Sequence, residues 1–277
     1  MMEQLDITNE EYRDIDAISN SELLMIEHSP SDFIWAKNAP KDNTKTAALD
    51  FGTVLHTALL ETEKFENSFV IYDQTKSRDT VKFNSFMQEQ AENAIVLLES
   101  EYDKVRLMAA SAHAHPTFSK YLKVCPEREK SIVGDLHGVK VKIRPDLKCD
   151  GIATISELKS TADLSEWRES VIWKNPMFKF NYGHSAALYM DVYQEFLGMP
   201  VDTYTYLVCQ KSINCGRYPV GVFTISREEL TRYGFFDRVY SNIEKYKECK
   251  ASGDWTHLEP FPLFNVPNVE ELDIVYE

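Results

Sequence analysis

The sequence predicts an α/β fold in which a central mixed β-sheet is flanked by helices. Three observations carry that prediction. Helix-period patterns dominate the first 123 residues, alternating apolar and polar residues take over in the middle, and helices and strands then share the chain to about residue 250. No internal repeat, low-complexity tract or Gly/Ser linker divides the 277 residues. The prediction is therefore one domain over 1–277, with acidic extensions at 1–27 and 251–277.

Taken in order, "AISNSELLMIEHSPSDFIWAKN" reads as a helix N-capped by Ser19 or Ser21, with Leu23, Leu24 and Ile26 following until Pro30 interrupts the pattern. "AALDFGTVLHTALLE" reads as a short helix and "SFVIYD" as a strand. Between about 81 and 123, "SFMQEQAENAIVLLES" and "EYDKVRLMAASA" read as long helices. Val139, Val141 and Ile143 then alternate with Lys140, Lys142 and Arg144, which is the signature of a strand with one apolar and one basic face. Asp150-Gly151 signals a two-residue hairpin turn. Helices over about 164–173 and 178–197 follow, then strands "TYTYLVCQ" and "YPVGVFTI", and a long helix "SREELTRYGFFDRVYSNIEKYKEC".

A chain of this length buries a core without disulfides, and 43% hydrophobic with 27% charged residues is the balance of a globular protein. No stretch has the roughly 18–20 apolar residues of a membrane helix, so no membrane contact is expected. The acidic opening lacks the basic start and apolar run of a secretory signal, which points to the cytoplasm. Cys125, Cys149, Cys209, Cys215 and Cys249 form no CxxC pair and read as free thiols rather than zinc ligands. The net charge of −14 argues against nucleic acid until its distribution is considered. Residues 1–27 hold eight acids against Arg13 alone and residues 251–277 hold six with no Lys or Arg, so the body between is nearly neutral. A local basic groove is compatible with that body.

The chemistry is concentrated in "IRPDLKCDGIATISELKS". A two-residue turn at Asp150-Gly151 places Asp146 opposite Ile155, with Glu157 as its diagonal neighbour roughly 7–8 Å away at the backbone. Ile155, Glu157 and Lys159 share one side of their strand. Pro145 removes a ladder donor, as at a strand end or bulged edge. Asp146, Glu157 and the Leu158 carbonyl are oxygen ligands suited to Mg²⁺, while Lys159 is placed to orient or deprotonate a water and to offset phosphate charge. That is the chemistry of metal-dependent phosphodiester hydrolysis; an exposed Glu–Lys surface pair is the alternative reading of the same pattern. His56 falls on the apolar side of its helix, either as a satisfied core histidine or as a further ligand over the carboxylates. Trp35, Trp167, Trp173 and Trp255 read as packing residues rather than base-stacking platforms.

"ISNSELLMIEHSPSDFIWAKNAP", "LDFGTVLHTALLE", "IRPDL" followed by "SELKSTAD", and "INCGRYPV" occur in an order that resembles the C-terminal nuclease domain of the RecE exonucleases (exodeoxyribonuclease VIII). Those enzymes are relatives of lambda exonuclease in the PD-(D/E)xK superfamily. The resemblance spans roughly residues 12–260 and implies a restriction-endonuclease-like core. It implies Asp146 as the Asp of PD, Glu157 and Lys159 as the acid and lysine of (D/E)xK, and His56 as the preceding metal-holding histidine. RecE carries Asp where this chain has Glu157. Glu129 falls where related nucleases carry a supporting glutamate, and Ser21 sits at a helix N-terminus suited to a terminal phosphate. Lys142 or Arg144 would steady the scissile phosphate. The family's Gln and Tyr four residues apart are matched by Tyr189 but by Ser185 at the Gln position, with His184 as a substitute.

The implied activity is Mg²⁺-dependent 5′-to-3′ digestion of double-stranded DNA through two ions, with Mn²⁺ as an alternative. It releases mononucleotides and leaves 3′ tails for a RecT-like annealing protein, from a homo-oligomeric ring in a bacterial or phage-infected cell. Two other readings stay open: a non-catalytic DNA-end or protein-binding module on the same fold, and a structure-specific endonuclease.

Overall fold

The structure is a computed structural model that describes residues 1–40, 47–65, 69–90 and 94–256. The acidic stretch beyond 256 and the Trp173 side chain lie outside the described residues. Ten strands form three sheets among the described residues. Strands β1 (Glu3–Leu5), β5 (Ser131–Leu136) and β6 (Val139–Ile143) make an antiparallel sheet, and β2 (Val70–Tyr72) and β3 (Val96–Leu98) a parallel pair. The main sheet joins β4 (Glu127–Arg128), β7 (Leu147–Cys149), β8 (Thr154–Thr161), β9 (Thr203–Gln210) and β10 (Val220–Ser226) in the order β10-β9-β8-β7-β4. It is mixed: β8 and β9 run parallel and the other neighbours antiparallel.

Helices cover both faces of that sheet. Before it come α1 (Asn9–Asp14), α2 (Asn20–His28), α3 (Pro30–Asn38), α4 (Ala47–Leu60), α5 (Thr62–Phe65), α6 (Val81–Gln88), α7 (Glu99–Ala114) and α8 (Pro116–Val124). Later come α9 (Pro176–Lys179), α10 (Tyr182–Leu197), α11 (Arg227–Arg232) and α12 (Phe235–Ser252). On one face Ile155, Tyr204, Tyr206 and Val208 pack with α10, α12 and α2; on the other Leu158, Leu207 and Cys209 pack with α4, α7 and α8. A strand buried on both faces needs apolar residues of both parities. β9 supplies them, so the polar Glu157 and Lys159 on neighbouring β8 stand out.

Several elements depart from the sequence expectations. Ser19 is the N-cap of α2, with Glu22 completing the capping box. Pro30 interrupts that helix but also starts the next, because a first-turn position needs no N–H; the Ser29 side chain accepts the Asp32 amide at 3.3 Å. The 81–123 stretch is not two long helices: Val96, Leu97 and Leu98 are all buried, and three successive buried residues suit a covered parallel strand. Residues 164–173 form two 3₁₀ turns, Leu164–Arg168 and Ile172–Lys174. The long terminal helix breaks at Gly234, whose φ of 73° is left-handed.

The hairpin register is also corrected. Leu147 pairs with Ser156, Lys148 with Ile155 and Cys149 with Thr154, around a turn from Asp150 to Ala153 that closes with Ala153 at φ 45°. The turn is longer because Asp150 is tied down as an anchor, its half-buried carboxylate accepting from the buried Lys148 Nζ at 2.6 Å and from Tyr193 OH at 2.7 Å. The two-residue slip preserves side-chain parity and makes Glu157 the register partner of Asp146 rather than its diagonal neighbour.

Candidate active site

Two chain crossings build the site. The segment from β4 to β5 leaves the main sheet for the three-stranded one at Glu129, which takes a left-handed φ of 54°. Returning from β6 to β7, the chain crosses back through Arg144, Pro145 and Asp146. The crossings are tied where the Glu129 N–H donates to the Asp146 carbonyl at 3.2 Å. A left-handed glutamate costs roughly 1–2 kcal/mol, and here that conformation turns its carboxylate toward Asp146 and His56.

His56 Nδ1 lies 3.8 Å from Asp146 Oδ2 and 3.9 Å from Glu129 Oε1. Ligand atoms of these three residues all fall within 4.8 Å of one another. Asp146 is buried, and its Oδ2 accepts the Leu158 amide at 2.6 Å. Arg144 fixes Glu129 through Nε at 3.0 Å and is itself held by Nη1 bonds of 2.9 Å to the Ile7 carbonyl and Ser131 Oγ. One strand over, Lys159 Nζ donates to Glu157 Oε1 at 2.7 Å and sits 5.0 Å from the Tyr182 ring centre. Tyr204 OH donates to Glu157 Oε2 at 3.0 Å. Glu157 thus stands outside the His56–Glu129–Asp146 group, held from both oxygens.

The electrostatics follow from burial among like and unlike charges. Burial drives the Asp146 carboxyl up to about 7, against the pull of His56 and with the push of Glu157 and Glu129. Burial works to lower His56, but the Asp146 and Glu129 charges outweigh it and raise the imidazole. Burial works to raise Glu129, yet His56 and Arg144 hold it below the ordinary range. Lys159 is raised because Glu157 and Asp146 overcome its desolvation. The group is a cation and several carboxylates competing for too few protons, an arrangement that a divalent ion relieves. One imidazole nitrogen and carboxylate oxygens, with no thiolate among them, suit Mg²⁺ or Mn²⁺.

His56, Glu129, Arg144, Leu158, Lys159 and Tyr182 line a single cleft of about 980 Å³. Its walls also carry Lys64, Arg128, Lys130, Asp6 and Glu11. Other expected site residues lie elsewhere. Lys142 spends its ammonium on the carbonyls of Arg13 and Ile15, at 3.0 and 2.8 Å, which leaves Arg144 as the cleft residue of that strand face. Ser21 is exposed on α2, its hydroxyl 3.1 Å from Ser19 Oγ, away from the cleft lining. Ser185 is buried beside the Tyr206 phenol. His184 is fixed between Asn20 and Asn242, and does not stand in for the expected Gln. Tyr189 does face the acids, its ring 6.3 Å from Tyr204 and its phenol near Asp146 and Glu157.

Sequence reasoning did not single out Tyr204, Tyr182 or the Lys64–Lys130 wall. The first was accessible: in "TYTY" the two tyrosines share a strand face, and a parallel neighbour puts them on the side of Glu157. The wall was not, because its residues come from segments remote in sequence, Lys64 on α5 and Lys130 just before β5.

Comparison with known proteins agrees with this fold. A family described as "PDDEXK-like domain of unknown function (DUF3799)" matches residues 19–258. No curated protein matches. A crystal structure of a "Putative exonuclease" from Eubacterium rectale is similar, with a TM-score of 0.60 at 14% identity over 88% of each chain. At that identity the likeness shows the fold. The family match places the chain among PDDEXK-like domains, and neither match singles out RecE.

Proposed function

Starting from a chain that belongs to this PDDEXK-like family, we propose a Mg²⁺-dependent nuclease that digests double-stranded DNA from its ends. One observation carries the reading: a buried Asp146 gathers with the His56–Glu129 pair as candidate ligands, and the Glu157–Lys159 pair stands beside them at a cleft of about 980 Å³ that His56, Glu129, Leu158 and Lys159 line. His56, Glu129 and Asp146 would hold a divalent ion, with Glu157 and the Leu158 carbonyl as further oxygen donors for a second. Bound there, the ion supplies Lewis acidity at the phosphoryl oxygen and acidifies water.

The chain's own residues do the rest. The Leu158 amide and the Glu129–Arg144 pair hold two carboxylates in place before substrate arrives, which is the preorganisation that favours transition-state charge. Lys159 presents an ammonium proton donor beside Glu157, placed to orient the attacking water and to neutralise charge developing on the phosphate. Lys64, Lys130 and Arg144 stand on the cleft walls, paired with Glu61, Asp6 and Glu129, and a phosphate backbone would have to compete with those acids for them.

The finer features rest on the RecE resemblance: 5′-to-3′ polarity, mononucleotide products, 3′ tails passed to a RecT-like annealing protein, a homo-oligomeric ring and a cytoplasmic setting. The described residues contain no helix long and apolar enough to cross a membrane. Linear duplex labelled at either 5′ or 3′ ends, incubated with Mg²⁺ or EDTA beside a closed circle, tests the whole reading. Mg²⁺-dependent release of 5′-labelled mononucleotides with the circle intact is the expected result. Cutting of the circle would replace it with an endonuclease, and intact DNA under every metal would replace it with a binding module.

A further inference from the structure

Glu157 is the one acid of the cluster whose two oxygens are each taken by a different side chain on the same strand or its parallel neighbour. Lys159, two residues along β8, takes Oε1 at 2.7 Å, and Tyr204, on β9, takes Oε2 at 3.0 Å. The register pairs Tyr204 with Ile155, so its ring reaches two residues up the sheet to meet Glu157. Tyr204 is completely buried. Its ring is packed 5.0 Å from Tyr206 and 6.3 Å from Tyr189, which leaves the phenol no other orientation without repacking. A buried phenol needs a partner, and a carboxylate partner makes the bond charge-assisted.

We infer that Tyr204 is a positioning residue that holds the Glu157 carboxylate against rotation, so that its remaining lone pairs stay available to a divalent ion in the cleft. The inference rests on the metal-dependent reading above. It follows from a geometric contrast. Asp146 is held by a main-chain amide and Glu129 by an arginine itself anchored to main chain, whereas Glu157 has only two side chains to fix it. Lys159 alone, on its flexible four-carbon stem, is a poor orienting group; the rigid phenol defines the plane.

The test is calorimetric Mn²⁺ titration of the full chain as wild type, Tyr204→Phe, Glu157→Gln and the double variant, with thermal unfolding run on each. Tyr240→Phe is the control: it also loses one phenol bond to a carboxylate, 2.7 Å to Asp191, but lies apart from the cleft lining. The expected result is a Mn²⁺ affinity about 10-fold weaker in Tyr204→Phe, unchanged in Tyr240→Phe, and no weaker in the double variant than in Glu157→Gln alone. Tyr204→Phe that unfolds earlier yet binds Mn²⁺ as the wild type does would overturn the inference, as would losses that simply add to those of Glu157→Gln. Wild-type chain that takes up no Mn²⁺ would instead overturn the nuclease reading itself, and the positioning role with it.

Discussion

Lys159 is the residue whose removal separates chemistry from architecture. Its ammonium meets Glu157 and the Tyr182 ring face rather than main chain, so Lys159→Ala is expected to fold and to cleave about 10²–10⁴-fold more slowly in single-turnover digestion of linear duplex. His184 gives a prediction of a different kind. Its Nδ1–H donates to Asn20 Oδ1 at 2.7 Å and its Nε2 accepts from Asn242 at 3.0 Å, which fixes the neutral tautomer. Burial depresses its pKa from 6.5 to about 4; the nearby Glu27 opposes the drop, and the Arg238 paired to Glu27 adds to it. An unfolded chain binds that proton below pH 6.5 while the folded one does not until about pH 4. Its contribution is therefore complete above pH 6.5 and is lost as pH falls toward 4, by roughly 3 kcal/mol. Urea unfolding at pH 7 and pH 5 measures it, and His184→Gln should flatten that part of the profile. At this scale the sequence was informative where chemistry is local: Asp146, Glu157 and Lys159 are close in the chain. It misassigned His184 as a stand-in for the expected Gln and was silent on Tyr204, because the partners of both lie on elements far away in sequence.

The hairpin from β7 to β8 sets the active-site register, and a charge cluster around one buried lysine sets the hairpin. Lys148 is fully buried with Glu127 at 2.9 Å and Asp150 at 2.6 Å, under the rings of Tyr193 and Phe196. Lys148→Ala leaves two partly solvated carboxylates with no cation and should cost about 1–3 kcal/mol in denaturant titration, less than a fully buried pair would because solvent screens the acids. Period-two alternation found β6, β8, β9 and β10, but not this register, because "DG" is a turn signal only while Asp150 is free to make the turn. Helix pairing makes a second prediction. Gly183 on α10 sits against α12 so closely that an added Cβ would meet the Phe235 ring at 2.3–2.5 Å. Gly183→Ala should therefore destabilise by about 1–3 kcal/mol, seen as an earlier thermal midpoint.

For the whole molecule, the sequence carried the α/β class and the helix-flanked mixed sheet, since those follow from periodicity and order. The separation of a three-stranded antiparallel sheet from the main mixed sheet did not follow, because it depends on β1 joining β5 across more than a hundred residues. That division matters for function: the candidate ligands Glu129 and Asp146 stand where the chain passes between sheets. The folded chain gathers carboxylates that repel one another, and an ion that binds only the folded form must stabilise it. At 100 times its dissociation constant, Mn²⁺ should add about 2.7 kcal/mol to the unfolding free energy, reversed by EDTA and absent in Asp146→Ala.

Anomalous diffraction from crystals of the chain grown with Mn²⁺ tests the central claim most directly. A manganese peak within coordination distance of His56, Glu129 and Asp146 is the expected result. A peak elsewhere, or none in crystals whose cleft is open to solvent, would contradict it.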